Sequence, residues 1–248
     1  MSEDLHEIVA AWFGDVSDVQ IQPLGKGRIN ETLLLSVAGR KYVLQRINSE
    51  VFPDPGRVVE NFDRITAHLT SRSIESGLGY TSLALLPTRS ATPFHRDNED
   101  GCWRLQKYID HVPRQGGLDR EAAFGLGRIL AIFHRLTEDL PAEELVPPIP
   151  GFHCTPRYLE LFDTMLGQNG SGTNDSADCL HVVEKYRKRS SILERAAEQG
   201  ELNRRVIHGD PKLDNVIFTA AGEAVGLFDL DTAGPCLLYT SPSPRDKF

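Results

Sequence analysis

Apolar and polar residues alternate in short runs over the first 110 positions, and this pattern predicts a small antiparallel sheet. One helix is expected within it. Asp54 supplies an N-cap and Pro55 the first helical position, and apolar residues then recur on one helical face from Val58 to Leu69. The strands are predicted at residues 21–24, 32–37, 41–47, 82–86, 92–95 and 102–109.

The periodicity becomes helical after residue 117. Asp119 is the predicted N-cap of a helix that ends near Leu136, and two more helices are expected further along the chain. The chain then returns to short β-rich runs. The later helices are predicted at 155–166 and 179–199, and the later strands at 206–207, 216–218 and 224–228. We therefore expect an α+β chain with a sheet-rich lobe over residues 1–110 and a mainly helical lobe over 111–235.

Charge and composition exclude several classes of function. The 248 residues carry 27 basic and 35 acidic side chains, a net charge of −8, which opposes a nucleic-acid partner. No apolar run reaches the ~18 residues that span a membrane, and the acidic N-terminus lacks the apolar core of a secretory signal. The four cysteines show no Cys-x-x-Cys spacing. We expect a cytoplasmic protein with reduced thiols and no membrane partner.

The most informative stretch lies between the last strands. His208, Asp210 and Asn215 fall on a tight loop between two strands, and Asp229 ends the next strand. Neighbouring antiparallel strands lie ~4.8 Å apart, so Asp229 is expected close to Asn215. Carboxylate and amide oxygens suit Mg²⁺ held jointly with a phosphate, and a further carboxylate suits an acceptor hydroxyl. The spacing predicts phosphoryl transfer, with a polar β-hairpin of helpful turn residues as the alternative.

Residues 208–215, His-Gly-Asp-Pro-Lys-Leu-Asp-Asn, resemble the catalytic loop of the aminoglycoside-phosphotransferase-like kinases. Residues 229–231, Asp-Leu-Asp, resemble the metal-binding loop of that family. The resemblance implies a two-lobed protein-kinase-like fold that uses ATP and Mg²⁺. It makes Asp210 the catalytic base, Asn215 and Asp229 the magnesium ligands, and His208 a structural residue.

Further segments resemble the N-acetylhexosamine kinase branch of this family, which phosphorylates the anomeric hydroxyl of N-acetylated amino sugars. They lie at residues 27–32, 42–48, 51–52, 149–153 and 229–232. The implied function is transfer of the γ-phosphate of ATP to a hydroxyl of a small molecule, with an (N-acetyl)amino sugar preferred. Choline, homoserine and aminoglycosides are the alternative acceptors within the same fold.

The nucleotide side of the site is expected in the N-terminal lobe. Gly25 and Gly27 lie between the first two strands, where kinase-like folds bend a loop over the phosphates; an ordinary turn is the alternative. The third strand offers Gln45 and Arg46 on opposite faces; we favour Arg46 for its charge, while the register leaves Gln45 open. Glu60 on the following helix is a candidate partner of Arg46, or else a surface residue. Tyr108 belongs to the expected hinge between the lobes.

The acceptor side is less well marked. Lys212 is a candidate for neutralising the transferred phosphate, or else a solvated surface lysine. Asp231, His153 and Arg157 are candidates for the substrate pocket; a helix cap or a surface position is the alternative for His153 and Arg157.

The last residues differ from the rest of the chain. Residues 236–248 lack helical periodicity and contain two Ser-Pro pairs, so we expect a non-native tail on a chain that lacks the C-terminal helices of the family. A second hypothesis is therefore a catalytically inactive kinase-fold module that binds nucleotide. A third, a metal-dependent hydrolase built on His208 and Asp210, would need more His and carboxylate ligands.

Overall fold

The computed structural model describes residues 5–15, 18–25, 29–112, 119–169 and 177–238. Within these ranges the helices are α1 (Leu5–Phe13), α2 (Pro55–Ser76), α3 (Arg120–Leu136), α4 (Thr155–Asn169), α5 (Ala177–Tyr186) and α6 (Ile192–Glu198). The strands are β1 (Val19–Pro23), β2 (Glu31–Val37), β3 (Arg40–Ile47), β4 (Leu85–Leu86), β5 (His95–Arg96), β6 (Cys102–Lys107), β7 (Arg204–Ile207), β8 (Val216–Phe218), β9 (Ala224–Leu227) and β10 (Gly234–Leu237).

The N-terminal lobe is an antiparallel sheet in the order β1-β2-β3-β6-β4, with β5 also paired to β6. Its alternating apolar residues bury one face under α1. Ile8, Val9 and Trp12 of α1 pack against Leu35 and Leu44 of the sheet. The Trp12 indole also donates a 2.8 Å hydrogen bond to the carbonyl of Leu86, which fastens α1 to β4.

Helix α2 connects the two lobes. Asp54 caps it by accepting from the Arg57 amide at 3.2 Å, and Gly77 ends it with φ +66°, the left-handed conformation that glycine adopts without strain. Phe62, Ile65 and Leu69, three of the residues on the predicted apolar face, are fully buried. They pack in one core with α3 and with strands of the C-terminal lobe, so the small lobe rests on the large one through this helix.

The C-terminal lobe contains two short pairs of antiparallel strands beside α3. Strands β8 and β9 form one antiparallel pair and β7 and β10 form the other. Asp119 caps α3 by accepting from the Ala122 amide at 2.8 Å, as predicted. Leu126, Ile129 and Phe133 bury the inner face of α3. The loop between β7 and β8 joins the two pairs.

The fold agrees with the predicted α+β, two-lobed kinase-like architecture, with local differences. The strand expected over 92–95 is found at His95–Arg96. Helix α1 was not predicted. The expected strand over 82–86 is reduced to Leu85–Leu86. The expected helix over 179–199 is divided into α5, a 3-10 turn at Arg187–Arg189, and α6. At that break the Ser190 hydroxyl donates to the Arg187 carbonyl at 2.8 Å, a side-chain bond that competes with helical pairing.

Strand β10 extends past the boundary expected at residue 235. Cys236 and Leu237 pair with Arg205 and Arg204 of β7, and both are buried. No helix in the described ranges is long and apolar enough to cross a membrane.

Candidate active site

A cavity of about 1030 Å³ opens between the small-lobe sheet and the loop that follows β7. Val43, Leu83 and Phe228 contribute apolar wall, while Asp210 and Asp229 contribute carboxylates. The cavity therefore combines an apolar compartment with a polar one, the arrangement expected for a nucleotide whose base and phosphates need different surroundings.

His208 fixes the loop that carries Asp210. Its side chain is fully buried; Nε2 donates to the Phe228 carbonyl at 2.9 Å and Nδ1 accepts from the Asp210 amide at 3.3 Å. These two bonds require a neutral ring with its proton on Nε2. Burial lowers the pKa of His208 to about 4, which keeps the ring neutral at physiological pH. These bonds agree with the structural role that the family resemblance implies for His208.

Gly209 allows the loop to pass close to the segment after β9. Its φ is +84°, and a Cβ at this position would lie 2.5 Å from the Thr232 carbonyl oxygen. Thr232 closes the contact by donating from its hydroxyl to the His208 carbonyl at 3.0 Å. Only glycine combines this backbone conformation with this approach. The two segments that carry Asp210 and Asp229 are thereby held side by side.

Lys212 lies between the two carboxylates. Its Nζ is 2.5 Å from Oδ2 of Asp210 and 3.9 Å from Oδ2 of Asp229. The ammonium group faces the cavity, where it offsets part of the negative charge that two carboxylates create. Lys212 therefore lines the cavity beside both carboxylates, and its role toward a phosphate stays a prediction.

Asn215 and Asp229 have the chemistry of a magnesium site. Asn215 is 5% exposed, and its Nδ2 donates to the Asp210 carbonyl at 2.9 Å, which fixes the orientation of the side-chain amide. Its backbone carbonyl accepts from the Phe228 amide at 2.6 Å, next to Asp229. The backbone segments that carry Asn215 and Asp229 are thus neighbours, and both residues line the cavity.

The surroundings of Asp229 favour a bound cation. Burial raises the pKa of Asp229, and the neighbouring charge of Asp231 raises it further. The side chain is 48% exposed, so solvent weakens this shift, and the residue lines the cavity. No three His, Cys, Asp or Glu side chains of the described ranges gather into a metal site of their own. Such a donor set suits Mg²⁺, which is commonly held by one or two carboxylates together with substrate phosphates.

Strand β3 turns Gln45, and not Arg46, toward the cavity. Arg46 lies on the opposite face, 3.7 Å from Asp97 and 3.9 Å from Glu99, with its guanidinium over the Trp103 ring. The preference for Arg46 as the strand cation is therefore corrected. Side-chain alternation along β3 allowed either residue to face the cavity, and the choice of Arg46 for its charge was wrong.

The cation near Gln45 comes from the neighbouring strand. Arg104 of β6 is the register partner of Gln45, lines the cavity, and is 1% exposed. Gln45 Oε1 accepts from Arg104 Nε at 3.1 Å and from Nη2 at 2.8 Å. The sequence did contain a signal for Arg104: it alternates with Gln106 on one face of an otherwise apolar strand, an expensive arrangement unless the polar groups are paired.

Of the remaining residues predicted to contact the nucleotide, some lie at the cavity and others do not. Tyr108 lines the cavity just after β6. The Lys41 Nζ lies over its ring in a cation–π contact, 5.3 Å from the ring centre. Gly25 is exposed with φ +74°, next to Leu24, which contributes to the cavity wall. Gly27 lies outside the described residues. Glu60 does not reach Arg46; it accepts from Arg57 at 2.9 Å on the exposed side of α2, which corrects the proposed pairing.

Of the three residues predicted for the substrate pocket, only His153 lines the cavity. Its Nε2 donates to the Gly209 carbonyl at 2.7 Å. Arg157 is exposed and pairs with Glu160 at 2.8 Å, so the structure places it on the surface of α4 and not in a sugar pocket. Asp231 is 2% exposed and paired inside the protein, which corrects its assignment as a substrate ligand.

The sequence model of the "Phosphotransferase enzyme family" matches residues 20–238, nearly the whole chain. The chain belongs to this family. Its predicted kinship with the aminoglycoside-phosphotransferase-like enzymes is therefore confirmed at the level of the family, and the expectation of a phosphotransferase enzyme is confirmed with it. The matched range includes both the loop with Asp210 and the segment with Asp229.

Solved structures share the fold at low sequence identity. An aminoglycoside phosphotransferase from Alicyclobacillus acidocaldarius subsp. acidocaldarius DSM 446 is 17% identical with a TM-score of 0.55; the match covers 92% of this chain and 66% of that one. Spectinomycin phosphotransferase in complex with ADP and spectinomycin is 14% identical with a TM-score of 0.55, covering 95% and 70%.

An aminoglycoside phosphotransferase in a ternary complex with AMP-PNP and hygromycin B gives a TM-score of 0.59 at 16% identity, covering 93% of this chain and 72% of that one. These likenesses confirm the kinase-like fold. The present chain spans about two thirds of the length of these proteins.

Proposed function

We propose that this chain is an ATP- and Mg²⁺-dependent kinase that transfers the γ-phosphate to a hydroxyl of a small molecule, with an N-acetylated amino sugar as the preferred acceptor. The observation that carries the proposal is the convergence of Asp210, Asn215 and Asp229 on one cavity wall. Membership of the phosphotransferase family supports the reaction class. The sugar acceptor is supported by the sequence resemblance to the N-acetylhexosamine kinase branch.

Each of these cavity residues has a separate role in the proposed phosphoryl transfer. Asp210 orients the acceptor hydroxyl and accepts its proton as the oxygen attacks phosphorus. Asn215 and Asp229 would hold Mg²⁺, which neutralises charge on the nucleotide phosphates when bound. Lys212, 2.5 Å from Asp210, supplies positive charge where the transferred group passes. The bond from oxygen to phosphorus forms as the bond to the ADP oxygen breaks, and no covalent enzyme intermediate is needed.

The nucleotide base fits the apolar part of the cavity. Val43 and Leu83 approach from the small lobe and Phe228 from the large one, and Tyr108 stands at the hinge between them. His111 packs edge-on against the Phe228 ring at 4.7 Å, which stiffens this wall. We place the reaction in the cytoplasm, a location supported by four free cysteines and consistent with a small-molecule acceptor and a nucleotide as partners.

An acceptor panel tests the proposal. The chain is incubated with Mg·ATP and, separately, N-acetylhexosamines, hexosamines, choline, homoserine and an aminoglycoside, and ADP release is measured. We expect release with an N-acetylhexosamine, and ³¹P NMR should show phosphate on the anomeric oxygen. Turnover with choline, homoserine or the aminoglycoside alone would contradict the sugar assignment. Nucleotide binding without turnover of any acceptor would support the inactive kinase-fold module instead.

A further inference from the structure

A buried ion pair joins the small lobe to the segment after β9. Nη1 of Arg104 is 2.5 Å from Oδ1 of Asp231, and the two side chains are each 2% exposed. Arg104 lies on β6 in the sheet, while Asp231 follows Asp229 by two residues. The pair therefore links the sheet that covers the nucleotide to the segment that carries a proposed magnesium ligand.

The guanidinium of Arg104 is fixed by contacts on several sides. Gln45 Oε1 accepts from Nε and Nη2, and the same oxygen accepts from Gln106. The Arg104 guanidinium carbon also lies 4.3 Å from the centre of the Phe62 ring of α2. A planar group held by two hydrogen bonds, an ion pair and an aromatic ring has one available orientation. The Arg104 guanidinium therefore occupies a fixed position against which the Asp231 carboxylate is held.

The second oxygen of Asp231 reaches the loop between β1 and β2. Asn30 Nδ2 donates to Asp231 Oδ2 at 2.6 Å, and Asn30 Oδ1 accepts from the Asn48 amide at 2.9 Å. Asn48 in turn donates from Nδ2 to the Ile29 carbonyl at 3.2 Å. One carboxylate thus joins the end of the loop that follows β1, the small-lobe sheet and the segment of Asp229.

We propose that Asp231, held by Arg104 and Asn30, is a positioning residue that sets the position of Asp229 relative to the nucleotide phosphates. The inference rests on the proposed function for the role of Asp229. A buried ion pair is weak support for stability, because well-packed apolar residues of the same size often serve as well. Its distinctive property here is geometric: it connects three segments that must be mutually aligned when a metal–nucleotide complex binds.

The backbone of Asp229 agrees with this role. Asp229 adopts φ +58° and ψ +57°, a left-handed conformation that is uncommon for residues other than glycine and is kept only where the surroundings enforce it. A short 3-10 turn, Leu230–Thr232, follows at once, and Leu230 and Asp231 within it are both buried. The anchored turn holds the strained residue in place from its C-terminal side.

The test measures binding and does not depend on turnover. The affinity of a non-hydrolysable ATP analogue is determined with and without Mg²⁺ for the full chain and for Arg104→Gln/Asp231→Asn, which removes both charges and keeps polar groups at both sites. We expect the gain in affinity on adding Mg²⁺ to fall by about 10-fold or more, the usual effect of removing a group that orients a metal ligand. The quantity compared is the ratio of the affinities with and without Mg²⁺, because losing the Arg104 charge from the cavity wall can weaken nucleotide binding equally under both conditions.

Arg64→Gln/Glu144→Gln is the matched control, because it removes an exposed ion pair of the same charge away from the cavity. It should leave both affinities unchanged. Asn30→Ala keeps the ion pair and removes only the link to the β1–β2 loop, so it tests the inference if the double variant fails to fold; it should weaken the Mg²⁺-dependent gain.

An unchanged Mg²⁺-dependent gain in a folded double variant, or in Asn30→Ala if the double variant does not fold, would overturn the inference. So would a parent chain that shows no such gain. A parent chain that binds the Mg²⁺–nucleotide complex but transfers phosphate to no acceptor would overturn the proposed function alone, since the positioning result is read from binding.

Discussion

At the scale of single residues, three side chains hold the loop of Asp210 through hydrogen bonds to backbone groups. His208 bridges Asp210 and Phe228, Asn215 supports the Asp210 carbonyl, and His153 supports the Gly209 carbonyl. These bonds set where the Asp210 carboxylate lies without using the carboxylate itself. The chemistry of Asp210 is thus separated from the groups that place it, and each can be altered independently.

The neutral state of His208 makes the fold sensitive to acid. Its pKa is about 4 in the folded chain against an ordinary 6.5, so between these values the unfolded chain binds a proton that the folded chain does not. Stability from this group is present above pH ~6.5 and is lost as the pH falls toward 4, by roughly 3 kcal/mol in all. His208→Gln should lack this loss.

Urea unfolding of both proteins from pH 7.5 to 4.5 measures the effect. The difference in unfolding free energy between the parent and His208→Gln should be largest near pH 7.5 and shrink toward pH 4.5. Other groups titrate in both proteins and cancel in the difference. Two curves that stay parallel over this range would show that His208 is not held neutral.

Gly209→Ala tests the close approach of the catalytic loop to Thr232. The new Cβ would meet the Thr232 carbonyl at 2.5 Å, so Asp210 must shift, and displacements of ~1 Å at a reacting group cost up to ~100-fold in rate. We expect turnover to fall by at least about 10-fold. Gly222→Ala is the control: its φ of +81° is similar, but nothing lies within 4 Å of its Cβ.

Gly222→Ala should cost only the backbone strain, about 1–2 kcal/mol of stability, and leave turnover intact. Equal losses of turnover in the two variants would mean that left-handed backbone conformation, and not the contact with Thr232, is what the loop requires.

At the scale of elements, capped helices with a clear apolar stripe were the most predictable parts. The starts of α2 and α3 were predicted from Asp54 and Asp119, and both caps form. Helix α1 was missed because nine residues give little periodicity and its stability comes from packing on the sheet. Strand β10 was missed because Gly234 and Pro235 oppose strand propensity, while pairing with β7 compensates.

Site residues close together in sequence were predictable, whereas those joined by long-range contacts were not. Asp210, Asn215 and Asp229 were brought together by local spacing on one hairpin, which sequence alone reveals. Arg104 was not foreseen, because its partners Gln45 and Asp231 are 59 and 127 positions away and meet it only through the tertiary fold. The choice between Gln45 and Arg46 likewise depended on which face of β3 the large lobe covers.

Asp54→Ala tests the cap of α2. Losing the bond to the Arg57 amide should lower the free energy of unfolding by about 1 kcal/mol, because that amide has no partner within the first turn. Glu50→Ala, an exposed acidic residue four positions earlier, is the control for charge and should have little effect. Identical denaturation midpoints for the two variants would contradict the assignment of Asp54 as the cap.

At the scale of the whole molecule, two lobes enclose one cavity and are joined through α2 and the Arg104–Asp231 pair. The small lobe supplies apolar surface and the buried cation Arg104, and the large lobe supplies Asp210 and the proposed magnesium ligands. Neither lobe holds the complete set. Under the proposed function, nucleotide binding and phosphate transfer are separable, because Asp210 is the proposed base and the proposed nucleotide contacts come from other residues.

Phosphate transfer by Asp210→Ala is the most direct test of this claim. Transfer from Mg·ATP to an N-acetylhexosamine is measured beside the affinity for a non-hydrolysable ATP analogue, with Asp178→Ala, an exposed carboxylate on α5, as the control. We predict that turnover falls by about 100-fold or more while nucleotide affinity changes little. Turnover in Asp210→Ala equal to that of the control would contradict the account.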